Sequence, residues 1–445
     1  MGRPSSIAIV IVSVLISSCG LSGETTVNPL PSTDTAPEAF LLPVEWTPTP
    51  LRTSVPVQAM SSQEAPSVAA PESTPTGDVS SSQPRLFLDA LQMWSATEGW
   101  GRTSRMSEGS PRVLHTLDGG STWTDVTPPG VPQGPQVSGD LASLGKDVAW
   151  LSVAVYPEDR SGPIPAVVTV YQTVDGGAHW SQGAAFELEH GIAEMPVFID
   201  TLHGWMLPWF GEGGSREARD LRKTVDGGRT WEVVSTWEDS DGIPLGCTKT
   251  GLAFADEDVG WLTGICPGPF FLYTTADGGA TWSQVQSLAL PEGIAGDAWD
   301  LFNGSVYVPS SNPTFFANKA GYLWVTLETG NGPTYNLLYT TRDAGATWTP
   351  NLLPDEMFSP TLVNPDEGWG LSGSRHDKLS VTINGGKDWE YVGLVPRGSC
   401  LPGPLVNFVD PQHGWCLDCD ILYSTGDGGR TWQRLEPSIA TNASE

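Results

Sequence analysis

One eight-residue motif occurs seven times between residues 116 and 432 of this 445-residue chain. Its form is Thr-x-Asp-Gly-Gly-x-Thr-Trp, and we call each copy an Asp box. A second motif, Gly-Trp or a weaker variant of it, precedes every Asp box. Self-similarity at a period of roughly 50 residues is typical of propeller blades. The Asp boxes occupy residues 116–123, 173–180, 224–231, 275–282, 341–348, 382–389 and 425–432, and the tryptophans assigned to the second motif are Trp100, Trp150, Trp205, Trp261, Trp324, Trp369 and Trp415.

Each repeated unit reads as four short strands separated by tight turns. Such turns join antiparallel strands, whereas parallel strands need longer crossover connections. A single four-stranded blade exposes both of its faces, so seven blades must close into a ring to bury them. We therefore predict an all-β fold, a seven-bladed β-propeller of four-stranded antiparallel blades over residues 84–436, followed by a C-terminal tail at residues 437–445.

The repeated aspartate of the Asp box has a structural explanation. Gly adopts the positive φ of a tight turn without steric cost, and an Asp or Asn side chain accepts backbone hydrogen bonds within such a turn. The tryptophan is expected to bury its indole between neighbouring blades. We assign these residues no catalytic and no metal-binding role, because every unit carries them. The structural Asp-box residues are Asp118, Asp175, Asp226, Asp277, Asp343, Asn384 and Asp427, with Trp123, Trp180, Trp231, Trp282, Trp348, Trp389 and Trp432.

The first 83 residues have the features of an export signal and a tether. Residues 1–18 contain an apolar run that is shorter than the about 20 residues needed to span a bilayer. The order Ile-Ser-Ser-Cys at positions 16–19 resembles the lipobox of bacterial lipoproteins, so Cys19 is the predicted lipidation site; signal cleavage without lipidation is the alternative. Residues 19–83 are rich in Pro, Ser and Thr, which predicts a disordered linker. The expected location is the cell envelope, outside the cytoplasm, with a lipid anchor in a membrane.

The remaining cysteines predict two disulfides. Cys247 and Cys266 flank a Gly-Trp dipeptide, and so do Cys400 and Cys419 at the same separation. We predict the pairs Cys247–Cys266 and Cys400–Cys419, which leaves Cys416 over. A redox or metal-binding role for the C-x-x-C at residues 416–419 is the alternative.

The net charge and the absence of ligand-binding motifs argue against several classes of function. The formal net charge is −29 at pH 7. A surface this acidic repels phosphate backbones, so we expect no nucleic acid partner. The six histidines show no ligand spacing, and the sequence contains no phosphate-binding or dinucleotide-binding motif. We therefore expect neither a metal nor a cofactor.

The strand order indicates where a partner binds. With the strands of a blade named A to D, the A–B and C–D turns share one face of the ring, and the B–C and D–A connections share the other. Long, irregular segments, such as residues 208–221 and 236–246, belong to the second set. Variable loops on a fixed scaffold commonly carry binding residues. We therefore name Trp209, Phe210 and Trp237 as candidate partner-binding residues.

With these motifs, residues 85–432 resemble the Ycf48/HCF136-type photosystem II assembly factors, within the broader class of Asp-box (BNR) repeat propellers. The resemblance rests on the Asp boxes and the Gly-Trp strands. It implies a propeller that assists the assembly or stability of a membrane protein complex. We therefore expect a monomeric, non-catalytic, lipid-anchored binding or scaffold protein with a protein partner at the membrane surface.

The alternative is a carbohydrate-active propeller, either a sialidase-like glycosidase or a lectin, whose partner would be a carbohydrate. A sialidase needs three arginines from several blades, whereas Arg216, Arg219 and Arg222 belong to one loop. Xyloglucanases with similar boxes use two propellers, and this chain has length for one. The sequence leaves open an inverting glycosidase, in which two carboxylates lie about 6.5–9.5 Å apart. The sequence favours a protein that is not an enzyme.

Overall fold

The computed structural model describes residues 86–103, 111–158, 165–188, 195–210, 217–265, 270–294, 296–304, 311–328, 332–354, 356–398, 404–419 and 421–440. The predicted signal peptide, Cys19, the linker, Cys266 and Cys400 lie outside these residues. Within the described ranges, no helix has the length and apolar character needed to cross a bilayer.

Seven antiparallel blades of four strands form a β-propeller, which confirms the predicted fold. In each blade the strands follow one another along the chain in the order A to D. Blade 1 contains β1 (Ala90–Met93), β2 (Gly99–Thr103), β3 (Arg112–Thr116) and β4 (Thr122–Asp125). Blade 2 contains β5 (Val137–Ser143), β6 (Ala149–Val155), β7 (Ala166–Thr173) and β8 (Ser181–Gln182), and β9 (Phe186–Leu188) also pairs with β7. Blade 3 contains β10 (Val197–Phe198), β11 (Gly204–Met206), β14 (Leu221–Thr224) and β15 (Glu232–Ser235), with a two-stranded hairpin of β12 (Trp209–Phe210) and β13 (Ala218–Arg219) inserted between strands B and C.

The other four blades follow the same order. Blade 4 contains β16 (Thr248–Phe254), β17 (Gly260–Ile265), β18 (Leu272–Thr275) and β19 (Ser283–Gln284), and the helix α1 (Ala298–Gly304) follows it. Blade 5 contains β20 (Thr314–Phe315), β21 (Gly321–Glu328), β22 (Thr334–Thr341) and β23 (Thr349–Leu352). Blade 6 contains β24 (Phe358–Leu362), β25 (Gly368–Ser372), β26 (Lys378–Thr382) and β27 (Glu390–Leu394). Blade 7 contains β28 (Leu405–Phe408), β29 (Gly414–Asp418), β30 (Ile421–Thr425) and β31 (Gln433–Arg434).

Strand register places the A–B turns and the Asp boxes at one face of the ring. In every blade the residue that begins strand B pairs with the first Thr of the Asp box, as Gly260 does with Thr275. The amide that follows the aspartate donates to the A–B turn, as Gly278 N does to Asp258 O at 2.9 Å. We call this side the box face. The B–C and D–A connections lie at the opposite end of the strands, and we call that side the loop face.

In six of the seven blades a tryptophan in strand B contacts the next blade. Trp205 Nε1 donates to Gly278 O, in the Asp box of blade 4, at 2.9 Å, and its ring stacks on Phe254 of that blade at 3.7 Å between centroids. The same hydrogen bond joins blade 2 to 3, blade 4 to 5 and blade 7 to 1. In blade 5 the register gives this position to Tyr322, because Gly321 pairs with Thr341. The assignment of Trp324 to the motif is therefore wrong.

The ring closes between blades 7 and 1, each of which has four strands that are consecutive in sequence. Trp415 Nε1 donates to Gly119 O at 2.8 Å, and Met93 N donates to Asn407 Oδ1 at 2.8 Å. A further strand, β32 (Ser438–Ile439), lies parallel to β4 and extends blade 1 to five strands. Part of the segment predicted to be a C-terminal tail is thus a strand of the propeller.

Candidate partner-binding surface

The structure places the three candidate partner-binding residues in two neighbouring loop-face elements. Trp209 and Phe210 form β12, which pairs with β13. Trp237 lies between β15 and β16, and 39% of its surface is exposed. Leu245, in the same connection, is also exposed. We call the β12–β13 hairpin and residues 236–247 together the blade 3–4 platform.

A buried ionic cluster holds the two parts of the platform together. Glu217, Arg219 and Lys249 are exposed by only 2%, 4% and 6%. Arg219 Nε donates to Glu217 Oε1 at 2.5 Å, and Arg219 Nη1 donates to Leu207 O at 2.8 Å. Lys249 Nζ donates to Glu217 O at 2.9 Å and to Gly246 O at 2.6 Å. Lys249 N also donates to Glu217 Oε1 at 3.1 Å, so Glu217 accepts hydrogen bonds both from the hairpin and from strand A of blade 4.

The surroundings of Lys249 disfavour its charged form. Burial lowers the pKa of Lys249 to about 8, while Glu217 acts in the opposite direction and Arg219 lowers it further. The ammonium group also lies 5.6 Å from the centroid of the Phe271 ring. Sequence reasoning missed this cluster, because charged residues are rarely buried and their sequence neighbours carry no signal of it.

Backbone contacts and a disulfide also restrain the platform. Gly246 N donates to Glu217 O at 3.0 Å. Cys247 is disulfide-bonded, and so is Cys419 in blade 7. Their predicted partners lie outside the described residues, so the two pairings stay predictions. Cys416 is a buried free thiol whose pKa burial raises to about 12, which makes it unreactive.

The Asp-box carboxylates are occupied by their own turns. Asp226 Oδ1 accepts hydrogen bonds from the Thr224 hydroxyl at 2.8 Å and the Thr230 amide at 2.9 Å, and Oδ2 accepts one from the Thr230 hydroxyl at 2.7 Å. At the other six boxes, the residue equivalent to Asp226 accepts the same two bonds, one from the hydroxyl of the first Thr and one from the amide of the fourth residue after it. The Thr431 hydroxyl and amide, with the Thr425 hydroxyl, lower the pKa of Asp427 to about 2. The tryptophans of the boxes face the preceding blade, as Trp282 does where it packs with Trp205 and Leu221.

A group of polar residues on the box face has the composition of a metal site. Asp200, His203 and Glu257 could share a cation there, at A–B turns. Asp200 Oδ2 lies 2.8 Å from His203 Nδ1, and Asp410 and His413 repeat that contact at 2.8 Å in blade 7. The aspartate also accepts the amides of the same turn in both places. The Asp–His contact is therefore part of the repeated turn.

The arginines considered for a sialidase site do not converge among the described residues. Arg219 pairs with Glu217, whereas Arg222 lies over the Phe186 ring at 4.8 Å. Arg216 lies outside the described residues. The geometry of the described arginines does not form a carboxylate-binding triad.

Comparisons with known proteins give distant relatives of different activities. No family model matches the chain. A xyloglucanase from Paenibacillus sp. is 25% identical over 201 residues, which covers 37% of this chain and 18% of the relative, so the match spans less than a fifth of that protein. Among solved structures, the chain is similar to Ycf48 bound to a D1 peptide, with 16% identity, a TM-score of 0.46 and coverage of 77% of this chain and 94% of the other. It is also similar to the GH74 xyloglucanase from Xanthomonas campestris, with 14% identity, a TM-score of 0.48 and coverage of 79% of this chain and 54% of the other. A PL25 ulvan lyase is similar too, with 9% identity, a TM-score of 0.42 and coverage of 80% of this chain and 95% of the other.

The expectation that the chain is not an enzyme is wrong. The curated sequence relative, which matches 37% of this chain at 25% identity, is a xyloglucanase. The repetition of the Asp boxes argues only against catalysis by the boxes themselves. Residues in the connections between strands are free to differ from blade to blade, so the repeats leave catalysis elsewhere open.

Proposed function

We propose that this chain is a lipid-anchored, extracytoplasmic propeller that binds a protein partner through the blade 3–4 platform, in support of a membrane protein complex. The buried cluster of Glu217, Arg219 and Lys249 carries the proposal. Burying three charged groups costs free energy that an apolar core would not. The cluster fixes the platform while Trp237 stays exposed. An aromatic side chain on a fixed loop loses little entropy on binding and is a typical interface anchor.

The test is in-cell crosslinking followed by affinity purification of the tagged full-length chain from membranes. Trp237→Ala is the test variant. Tyr391→Ala is the matched control, since Tyr391 is an exposed aromatic residue on β27 of blade 6. We expect one stoichiometric membrane-protein partner with the wild type and with the control, and at least a tenfold lower yield with Trp237→Ala. Equal yields from both variants, or recovery of the chain alone, would overturn the proposal.

The lipid anchor is tested separately. Mass spectrometry of the mature N-terminus should find a diacylated Cys19, and Cys19→Ala should move the chain from the membrane fraction to the soluble fraction. An unmodified N-terminus at Cys19 or elsewhere would contradict the anchor and leave the partner experiment standing.

A carbohydrate-binding propeller is the second candidate, and the xyloglucanase match favours it. Exposed tryptophan beside carboxylates is also typical of sugar-binding surfaces, and Glu238 and Asp239 follow Trp237 directly. Xyloglucan should then retard the wild-type chain in affinity electrophoresis and should not retard Trp237→Ala. Release of reducing ends from xyloglucan would extend this candidate to an enzyme. No retardation and no release would remove it.

A further inference from the structure

Six large apolar side chains are exposed on the box face of three consecutive blades. Each blade contributes one residue from its A–B turn and one from the position before the Asp-box aspartate. Their exposed fractions run from 37% to 67%. We call them the apolar patch: Trp94 and Leu117 in blade 1, Leu144 and Val174 in blade 2, and Leu202 and Val225 in blade 3.

The fold does not require an apolar residue at the position before the aspartate. The side chain before the aspartate takes no part in the hydrogen bonds of the Asp box, which use the flanking threonines. Blades 4, 5 and 7 carry Ala276, Arg342 and Gly426 there. Outside the patch, the one large apolar residue at this position is Ile383 in blade 6. Exposed apolar residues clustered on one side of the ring indicate a binding surface.

Hydrogen bonds between neighbouring blades bring the turns that carry the patch next to each other. Trp94 Nε1 donates to Ser143 Oγ at 2.9 Å, directly beside Leu144 in the next blade. Gln172 Nε2 donates to Thr201 O at 2.6 Å, directly beside Leu202 in blade 3. The six side chains therefore belong to one surface that crosses three blades.

Charged groups within the patch are paired locally. Asp118 accepts the Thr122 amide at 2.8 Å and the Thr122 hydroxyl at 2.7 Å. Lys146 Nζ lies 3.0 Å from Glu98 Oε2. The Asp118 carboxylate remains charged, but these contacts replace part of the water that the charged groups would lose when the patch approaches an uncharged surface.

We propose that the apolar patch docks onto a lipid bilayer and inserts its side chains into the interfacial region. The choice of a bilayer rests on the proposed anchor at Cys19. A tethered body meets its own membrane at high effective concentration, which adds to the affinity that the patch itself has for the bilayer. A tryptophan with its Nε1 hydrogen-bonded and its ring half exposed is the side chain that bilayer interfaces favour.

Phosphatidylcholine vesicles and the chain of residues 20–445 test the proposal. This chain lacks Cys19 and the apolar signal, and it keeps every described element of the closed ring. Leu117→Asp/Val225→Asp is the test variant, and Ile383→Asp is the control at the same motif position in blade 6. We expect the wild type and the control to co-sediment with the vesicles, and the double variant to partition at least tenfold more weakly. Adding phosphatidylglycerol should weaken binding of the wild type, because the net charge is −29.

The outcomes separate this proposal from the proposed function. If the wild type fails to co-sediment, or if the double variant binds as well as the control, membrane docking is wrong. Circular dichroism melts of both variants show whether the ring is intact. If the double variant unfolds, single Leu202→Asn, tested against Gln412→Asn at the equivalent exposed position in the A–B turn of blade 7, replaces it. The crosslinking result with Trp237→Ala and the mass of the N-terminus do not depend on these vesicles.

Discussion

At the scale of the residue, the Asp box is a hydrogen-bonding unit closed on itself. One carboxylate accepts bonds from two threonine hydroxyls and one amide, and the two glycines that follow have positive φ, as Gly227 (77°) and Gly228 (90°) do. Blade 6 shows that charge is not essential. Asn384 Oδ1 accepts the Asp388 amide at 3.0 Å, and Asn384 Nδ2 donates to Asp388 Oδ2 at 2.8 Å.

Replacement of Asp226 tests this account. Asp226→Ala removes all three acceptor contacts, and we expect it to lower the free energy of unfolding by about 1–2 kcal/mol, the range for loss of a capping side chain. Asp226→Asn keeps Oδ1 as an acceptor and should lose less than half of that. Urea denaturation of the full chain measures both. Equal effects of Ala and Asn would mean that the oxygen contacts contribute nothing.

The tryptophans of strand B allow the hydrogen bond to be separated from the packing. Trp205 and Trp369 are both buried, and both stack on a phenylalanine of the next blade, at 3.7 Å and 4.2 Å. Trp205 Nε1 is bonded to Gly278 O, whereas Trp369 Nε1 has no hydrogen-bond partner among the described residues. Replacement by Phe removes similar ring surface at both positions.

We therefore expect Trp205→Phe to destabilise the chain by about 1–2 kcal/mol more than Trp369→Phe, since it alone leaves a buried carbonyl without its donor. Thermal and urea unfolding of the two variants side by side would measure the difference. If Trp369→Phe costs as much as Trp205→Phe, the hydrogen bond adds nothing to the contact between blades.

At the scale of the element, the buried charged residues have a structural role in the inserted hairpin of blade 3. The hairpin of β12 and β13 has only two residues per strand, which is too short to be stable alone. Arg219 and Glu217 fasten its second strand to Leu207 and Lys249. Ionic contacts thus stabilise this short hairpin, whereas apolar packing stabilises the long strands of the blades.

Lys249 should make the free energy of unfolding depend on pH. Its pKa in the folded chain is about 8, against an ordinary value of 10.5. The unfolded chain binds the Lys249 proton more tightly than the folded chain does, and this difference lowers the free energy of unfolding at pH values below about 8. The penalty shrinks as pH rises from about 8 to about 10.5, where the unfolded chain also loses the proton. The free energy of unfolding of the wild type should therefore rise relative to Lys249→Met across this window. Lys378→Met, at an exposed position of β26, should run parallel to the wild type. Parallel curves for all three proteins would exclude a perturbed Lys249.

The sequence predicts the elements better than the surfaces they form. The Asp boxes and Gly-Trp strands specify seven blades because turn chemistry is local and repeats. Register is less visible in the sequence. Tyr322 and Trp324 lie two residues apart, and only strand pairing shows that Tyr322 holds the position that a tryptophan has in the other blades. The cluster around Lys249 joins residues 32 positions apart, and the exposure of Leu117 depends on where its turn projects. Neither has a local sequence signal.

At the scale of the whole molecule, the two surfaces lie on opposite faces of one ring. The blade 3–4 platform belongs to the loop face, and the apolar patch belongs to the box face of blades 1 to 3. A propeller with one face on a bilayer presents its other face away from it. The proposed membrane docking and the proposed partner binding are therefore compatible, and a variant in one surface should leave binding at the other unchanged.

The ring as a whole depends on the seam between blades 7 and 1, and β32 reinforces that seam. Ala440 N donates to Trp123 O at 2.8 Å, and Ile439 packs on the apolar cluster that Trp415 and Leu422 share with blade 1. Deleting residues 437–445 removes these contacts, and we expect a loss of about 2 kcal/mol in the free energy of unfolding. Amide exchange in β4 should also become faster, because its outer edge is uncovered. Deleting residues 441–445 alone should change neither quantity. Equal behaviour of the two truncations would show that the seam is held by the contacts between the blades without β32.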